Sequence, residues 1–407
     1  MKILFLTDNF PPELNAPAGR TYEHACYWTQ WGHDVTIITC APNFPEGEVF
    51  DGYENKWRQV EYFGNIRVVR VKTYMRPNEG FFRRTLDYLS FMVMGFVMGL
   101  FEKRPDVIVG TSPQFFTAIA AWLLAVFKRR PFILEVRDLW PESIVATGSM
   151  RRGIAFHLLQ SIELFLYARA KKVIVVTKSF FDNLTRRGID SQKIGIVYGG
   201  VNQDLYYPIT KEKSVVEGLG LANKFVIGYL GTFGLAHGLN SVIEAANKLR
   251  EDDSVVFLLV GGGAEKKTLS EKVERLGLTN VKLLPFQRKR ELPKIWSVCD
   301  IALVHLRDTE LFKAVIPSKI FEAMAMGLPI LAALPEGEAS ALIRDHGCGV
   351  TIPSEAPQKL AEAILQMKNS PDQMRILGEH SVRAAAEYSR ESQARCFLIE
   401  LEMIDQT

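Results

Sequence analysis

Short apolar runs separated by helix-length amphipathic stretches recur from one end of the chain to the other. In the first half the runs fall at 2–7, 34–39, 66–71, 106–110, 132–136, 172–177 and 194–198. The rhythm restarts at 225–230 and continues at 255–260, 281–284, 300–304 and 329–333. Runs of β-branched and aliphatic residues without polar alternation belong to strands buried on both faces, and the segments between them supply the covering helices. Each series predicts a parallel sheet between two helical layers. Two series predict an α/β chain of two Rossmann-like domains. The polar stretch from Asn202-Gln203-Asp204 to Lys211-Glu212-Lys213 reads as the hinge. The expected divisions are 1–205, then 206–388, with 389–407 a C-terminal helix packing back on the first domain. Ligands of such sheets bind beyond the carboxyl ends of the strands, so the residues after each strand are where chemistry is sought.

Composition supports this picture and narrows it. The 407 residues suffice for two cores, and 47% hydrophobic with 23% charged residues excludes a disordered chain. A formal charge of +3 is too small to imply a nucleic-acid partner. The positive excess lies in the first half. Five scattered cysteines, Cys26, Cys40, Cys299, Cys348 and Cys396, form no C-x-x-C pair and read as reduced thiols of a cytoplasmic protein. The apolar run Ile3-Leu4-Phe5-Leu6 stops at Asp8, short of a leader's apolar region.

The most informative segment is Pro317-Ser318-Lys319-Ile320-Phe321-Glu322-Ala323-Met324-Ala325-Met326-Gly327-Leu328-Pro329. Pro317 marks a helix start, and Gly327 with Pro329 ends the helix before a buried strand. Free amides at a helix N-terminus suit a diphosphate, with Ser318 and Lys319 in the first turn. Glu322, one turn on, is placed to accept two hydrogen bonds from a ribose diol. A plain amphipathic helix with a solvated Lys and Glu is the alternative.

This segment resembles the family 4 retaining glycosyltransferases of the GT-B fold, and the resemblance runs along nearly the whole chain. It implies two Rossmann-like domains facing across a cleft and a nucleotide-sugar donor, with neither cofactor nor metal. The family's Glu-x7-Glu element ends in such a segment. Its second glutamate, the ribose ligand, corresponds to Glu322, and its first, which contacts the donor sugar, is Ala314 here. Glu310 or a backbone group is left to compensate. The stretch Gly231-Thr232-Phe233-Gly234-Leu235-Ala236-His237-Gly238 follows a strand, and its glycines admit phosphates close to the backbone. Where the family places an Arg and a Lys, this chain has Thr232 and a titrating His237, so Lys319 and Arg288 must carry more of the charge. Gly261-Gly262-Gly263 resembles the family's turn beside the nucleotide, with Gly262 the approach point. Leu284-Pro285-Phe286-Gln287-Arg288 resembles the loop lining the base, although Phe286 is also a core candidate.

In the first domain, the Pro-rich stretch from Asp8 to Arg20 resembles the loop that closes over donor phosphates, with Gly19 for approach and Arg20 for charge. A solvated Arg20 is the alternative. Arg137-Asp138-Leu139-Trp140-Pro141-Glu142 resembles the bacterial O-antigen and capsule branch, including N-acetyl-L-fucosamine transferases. Asp138 is placed to bind the acceptor hydroxyl or act as its base; an Arg137–Asp138 structural pair is the other reading. The residues assigned to catalysis are thus Asp138, Lys319 and His237. The acidic cluster Glu251-Asp252-Asp253 precedes a strand and reads as a solvated turn.

The apolar stretches 81–101 and 115–127 are flanked by Arg83, Arg84, Lys103, Arg104 and Lys128-Arg129-Arg130. The uncharged run from Tyr88 to Phe101 is short for a span but suits a helix lying in an anionic interface; ordinary packed helices are the alternative. The combined expectation is transfer of a sugar, from a UDP-linked donor, to a lipid-linked saccharide at the inner face of the cell membrane. A UDP-sugar 2-epimerase of the same architecture and a catalytically silent nucleotide-sugar-binding protein stand as alternatives.

Overall fold

The protein is described from a computed structural model covering residues 1–406 except 14, 45–46, 76–80, 113–114 and 147–152, with backbone only at 81–84, 115, 146 and 405–406. It divides into two compact units, Met1–Tyr198 with Arg390–Thr407, and Gly199–Ser389. The division comes before the expected boundary at 205. Val201 N–H donates to Tyr388 O at 2.9 Å and the Tyr206 side chain is buried in the second core, so the stretch read as a hinge begins inside the second unit.

Among the described residues, the first unit holds eight strands: β1 Lys2–Leu6, β2 Asp34–Cys40, β3 Arg58–Phe63, β4 Ile66–Val71, β5 Val107–Thr111, β6 Phe132–Val136, β7 Lys172–Val175 and β8 Ile194–Ile196. Their order is β3-β4-β2-β1-β5-β6-β7-β8, parallel except for the antiparallel edge strand β3. The apolar runs do not include β3, because Arg58-Gln59-Val60-Glu61-Tyr62-Phe63 lies at an edge and buries no face completely. Helix α1, Ala16–Gln30, packs against the C-terminal helix Arg390–Glu402. Trp28 is buried between them and its Nε1 donates to Ala394 O at 2.9 Å, while Arg390 pairs with Glu23 at 2.6 Å. Helices α2, Phe81–Leu100, and α3, Phe115–Lys128, also pack together: a Cβ on Gly99 would lie 2.4 Å from Leu124 Cδ1. Phe91 is buried, whereas Leu86, Val93 and Leu100, seven residues apart, are exposed. Among the described residues no helix is long and apolar enough to cross a membrane.

The second unit holds β9 Phe225–Thr232, β10 Val255–Gly262, β11 Val281–Leu284, β12 Ile301–His305, β13 Ile330–Ala333 and β14 Gly349–Ile352. They form one parallel sheet ordered β11-β10-β9-β12-β13-β14, the 3-2-1-4-5-6 order of a Rossmann sheet, with its switch point between β9 and β12. The short edge strand β14 is half-buried throughout, so it too lacks the pattern of a buried run. Strands β9 and β10 extend two residues beyond their apolar runs, through Thr232 and Gly262. Glycine makes this possible: Gly231 and Gly261 are register partners, and a Cβ on Gly261 would lie 1.8 Å from Gly231 O. The first of the two glycine stretches read as loops therefore opens on paired strand, and the second lies in it through Gly262.

Candidate active site

At the carboxyl ends of β9 and β10, and beside the switch point, the second unit contains a cavity of about 270 Å³. Its walls include Gly231, Thr232, His237, Phe286, Ser318, Lys319 and Glu322. Seven of the twelve residues singled out from the sequence thus meet in one place, drawn from three separate stretches of chain. Ser318 and Thr232 are exposed at the opening, and Phe286, 69% exposed, stands at the rim and is not core. Arg288 is exposed and Gly262 meets nothing within 4 Å of a built Cβ; neither lines the cavity. The crowded positions are Gly261 and Gly263, whose Cβ would press on the backbones of Gly231 and Phe233.

The helix Ser318–Ala325 starts at Pro317, which has no side-chain acceptor to cap it, so no side chain satisfies its first amides. Lys319 in its first turn is buried, 7% exposed, and among the described residues its Nζ has no hydrogen-bond partner. The ammonium position is 3.5 Å from the centroid of the Tyr229 ring, and burial pulls its pKa down to about 7, with Glu322 opposing. One turn on, Glu322 Oε2 accepts from Trp296 Nε1 at 3.3 Å. The indole holds the carboxylate on its cavity-lining side of the helix.

His237 sits in the turn Leu235–His237. Burial, then the charge of Lys319, bring its pKa down to about 4 against the hydrogen bond with His305, so its imidazole is neutral at physiological pH. The imidazole expected to titrate here is held neutral, and the side chain offers a neutral donor or acceptor. His305 Nδ1–H donates to His237 O at 2.7 Å, which fixes the His305 tautomer and ties the turn to β12. Tyr229 O–H donates to Thr232 O at 2.8 Å, so one buried side chain touches both Lys319 and the end of β9. Tyr229, His305 and Trp296 escape sequence reading because each lies within or beside an apolar run.

The first unit places its expected residues differently. The loop after β1 ends at Asn15, whose side chain accepts from Ala18 N–H at 2.9 Å, and Gly19 and Arg20 are already helical in α1. Arg20 is buried, pairing with Glu135 at 3.1 Å and donating to Val197 O at 3.1 Å. Burial pulls its pKa down to about 9 against the pull of Glu135, so this guanidinium is engaged inside its own unit and is not a solvated side chain. Asp138 follows β6 and is half-buried; burial raises its carboxyl pKa while a hydrogen bond with Ser143 opposes. Arg137 N–H donates to Ser112 Oγ at 2.8 Å, and the guanidinium responds chiefly to burial and Glu135, not to Asp138. Of the membrane-flanking cations, Arg83 and Arg84 lie outside the residues with described side chains, and Lys128 caps α2 by donating to Leu100 O at 3.1 Å and Glu102 O at 2.8 Å. Glu310, 89% exposed, pairs with Lys313 at 2.5 Å beside Ala314.

Comparison with known proteins adds a decisive observation. Residues 212–383 match the family model described as Glycosyl transferases group 1, and residues 19–205 match Glycosyltransferase Family 4. A D-inositol 3-phosphate glycosyltransferase of Corynebacterium urealyticum is 30% identical over 89% of this chain and 85% of its own. The chain belongs to the group 1, family 4 glycosyltransferases. A putative colanic acid biosynthesis glycosyl transferase, WcaI of Escherichia coli, is 26% identical over 94% of this chain and 96% of its own. Anabaena HepE, solved in complex with UDP, is 18% identical, with a TM-score of 0.72 over 99% of this chain and all of its own. The fold of this glycosyltransferase is therefore GT-B, two α/β domains with parallel sheets. Membership of a transferase family sets aside the epimerase alternative.

Proposed function

We propose that the cavity of the second unit binds the nucleoside diphosphate of an activated sugar, UDP-linked, and that the enzyme passes the sugar with retention to a lipid-linked saccharide during bacterial surface-polysaccharide assembly. The observation that carries this reading is Lys319: a buried cation with no hydrogen-bond partner, at an uncapped helix start, one turn before a carboxylate. A diphosphate satisfies the amides and the amine together, and Glu322 takes the ribose hydroxyls. UDP in the HepE complex and the colanic acid role in the WcaI description support the donor and the pathway class respectively. The sugar class suggested by the Arg137–Glu142 stretch is an N-acetylated hexosamine such as N-acetyl-L-fucosamine.

Stabilisation of the departing diphosphate by Lys319, helix amides and neutral His237 supplies the catalysis in this reading, without a metal. Asp138, whose carboxyl is raised by burial, receives the acceptor hydroxyl. The acceptor is held at the inner membrane face by the outer sides of α2 and α3. The test is calorimetric titration of UDP into the wild type and Glu322→Ala. The variant loses about 1–3 kcal/mol of affinity, the scale of charge-assisted hydrogen bonds. Equal affinity would remove Glu322 from the site.

A further inference from the structure

Lys319 occupies an unusual position for a cation meant to hold phosphate. It has no hydrogen-bond partner, only the Tyr229 ring beneath it, and Gly231 closes over it: a Cβ there would lie 2.7 Å from Nζ. The titratable groups around it come from every adjoining element. Glu322 lies on its own helix, Tyr229 on β9, His237 on the turn after β9 and His305 on β12, while Glu265 after β10 acts on Tyr229. Both histidines are held towards the neutral form by burial, and burial pushes the Tyr229 phenol upward, so it too is neutral. The one carboxylate on the same helix face is bonded to Trp296. A buried ammonium whose burial cost is only partly offset by one carboxylate, Glu322, is costly, and the amine escapes that cost by giving up its proton.

We propose that Tyr229 is a positioning residue that keeps Lys319 as an uncommitted amine, and that entry of the donor's diphosphate protonates it, so that donor binding takes up a proton from solvent. This rests on the nucleotide-binding reading above. The step is R–NH2 + H⁺ → R–NH3⁺ at Nζ; no other bond changes, and the new charge faces the diphosphate oxygens. The ring excludes water from beneath the amine, while the hydroxyl holds the end of β9 through Thr232 O. The Lys319 pKa of about 7, set chiefly by burial, agrees with this geometry. The sign follows directly: above that value the free site binds fewer protons than the occupied one, so affinity falls as pH rises.

The experiment is titration of UDP into the full-length protein at about pH 8, in two buffers of different ionisation enthalpy, where the UDP phosphates are already ionised. Wild type takes up close to one proton per UDP, and its affinity falls nearly tenfold per pH unit between about 7.5 and 8.5. Lys319→Met, checked for folding by its thermal transition, shows no uptake and no such slope. Tyr229→Phe keeps the ring and the uptake. Tyr229→Leu opens the space beneath the amine to water, charges it beforehand, and loses more than half of the uptake. UDP binding by the wild type without proton uptake, or uptake undiminished in Lys319→Met, would overturn the proposal while leaving the donor site intact. Failure of UDP, ADP and GDP alike to bind would overturn the donor-site reading and this inference with it.

Discussion

Single residues at this site work against the stability of the fold. Lys319 is a cation in a place built for an apolar side chain, and its folded pKa of about 7 lies well below that of an exposed lysine. Below about pH 7 folded and unfolded chains are both protonated, and the burial cost is fully felt. Between about 7 and about 10.4 the unfolded chain holds the extra proton, so stability rises with pH, and above that range the cost is gone. Lys319→Met accordingly melts several degrees higher than wild type at neutral pH, and the gap closes as the pH approaches about 10. A gap independent of pH, measured by thermal unfolding across that range, would show that the ammonium is not the cause. Neighbouring glycines divide just as sharply. Gly261→Ala drives a Cβ into Gly231 O and costs about 2–4 kcal/mol, whereas Gly262→Ala meets empty space and stays within about 0.5 kcal/mol. Urea midpoints of the two variants check this, and equal losses would contradict the paired-strand account.

Elements decide what those residues face. The helix Ser318–Ala325 buries Ile320, Phe321 and Ala323 to Ala325 in the second core, which fixes Glu322 toward the cavity and leaves Lys319 buried in its wall. On the first unit, α2 and α3 are packed on one side and apolar on the other. Phe101 is 74% exposed and Phe127 66%, next to exposed Lys103, Arg104 and Arg129. Aromatic side chains rimmed by cations match an anionic leaflet, each base contributing about 1 kcal/mol near the surface. The protein is expected to sediment with vesicles containing anionic lipid and to be released largely by high salt. Phe101→Glu with Phe127→Glu reduces binding with no loss of fold, because both side chains are largely in solvent. Sedimentation unchanged by both substitutions would move the contact elsewhere.

The whole chain is threaded so that its end completes its beginning. Trp28, Ala394, Phe397, Leu398 and Leu401 share one core, and the last helix returns to the first unit after the entire second unit has been built. A chain ending at Ser389 leaves Trp28 without Ala394 and Glu23 without Arg390. Its first unit unfolds at lower temperature, seen as an early loss of tryptophan fluorescence, while the second unit, whose cores lie within 201–388, still binds UDP. Unchanged melting of the first unit would deny the C-terminal helix this structural role.

Local chemistry determined much of this protein. Among the described residues, twelve of the fourteen strands announce themselves as apolar runs, because a strand covered on both faces needs few polar positions. Pro317 to Pro329 encodes its own helix and stop, and spacing puts Glu322 one turn beyond Lys319, with a solvated side chain as the alternative until the family resemblance names it. The edge strands β3 and β14 were not legible, since an edge strand meets solvent and need not be apolar. Tertiary structure alone decided the state of the charges. Arg20 and Lys319 both carry basic groups in first or second helical turns, yet one is paired with Glu135 on β6, while the other lies over the Tyr229 ring with only the charge of Glu322 to oppose its burial. Glu135 and Tyr229 lie inside apolar runs and His305 directly after one, and no local motif marks them or Trp296. Their influence on pKa and position depends on distances of a few ångströms between segments far apart in the chain, which only packing sets.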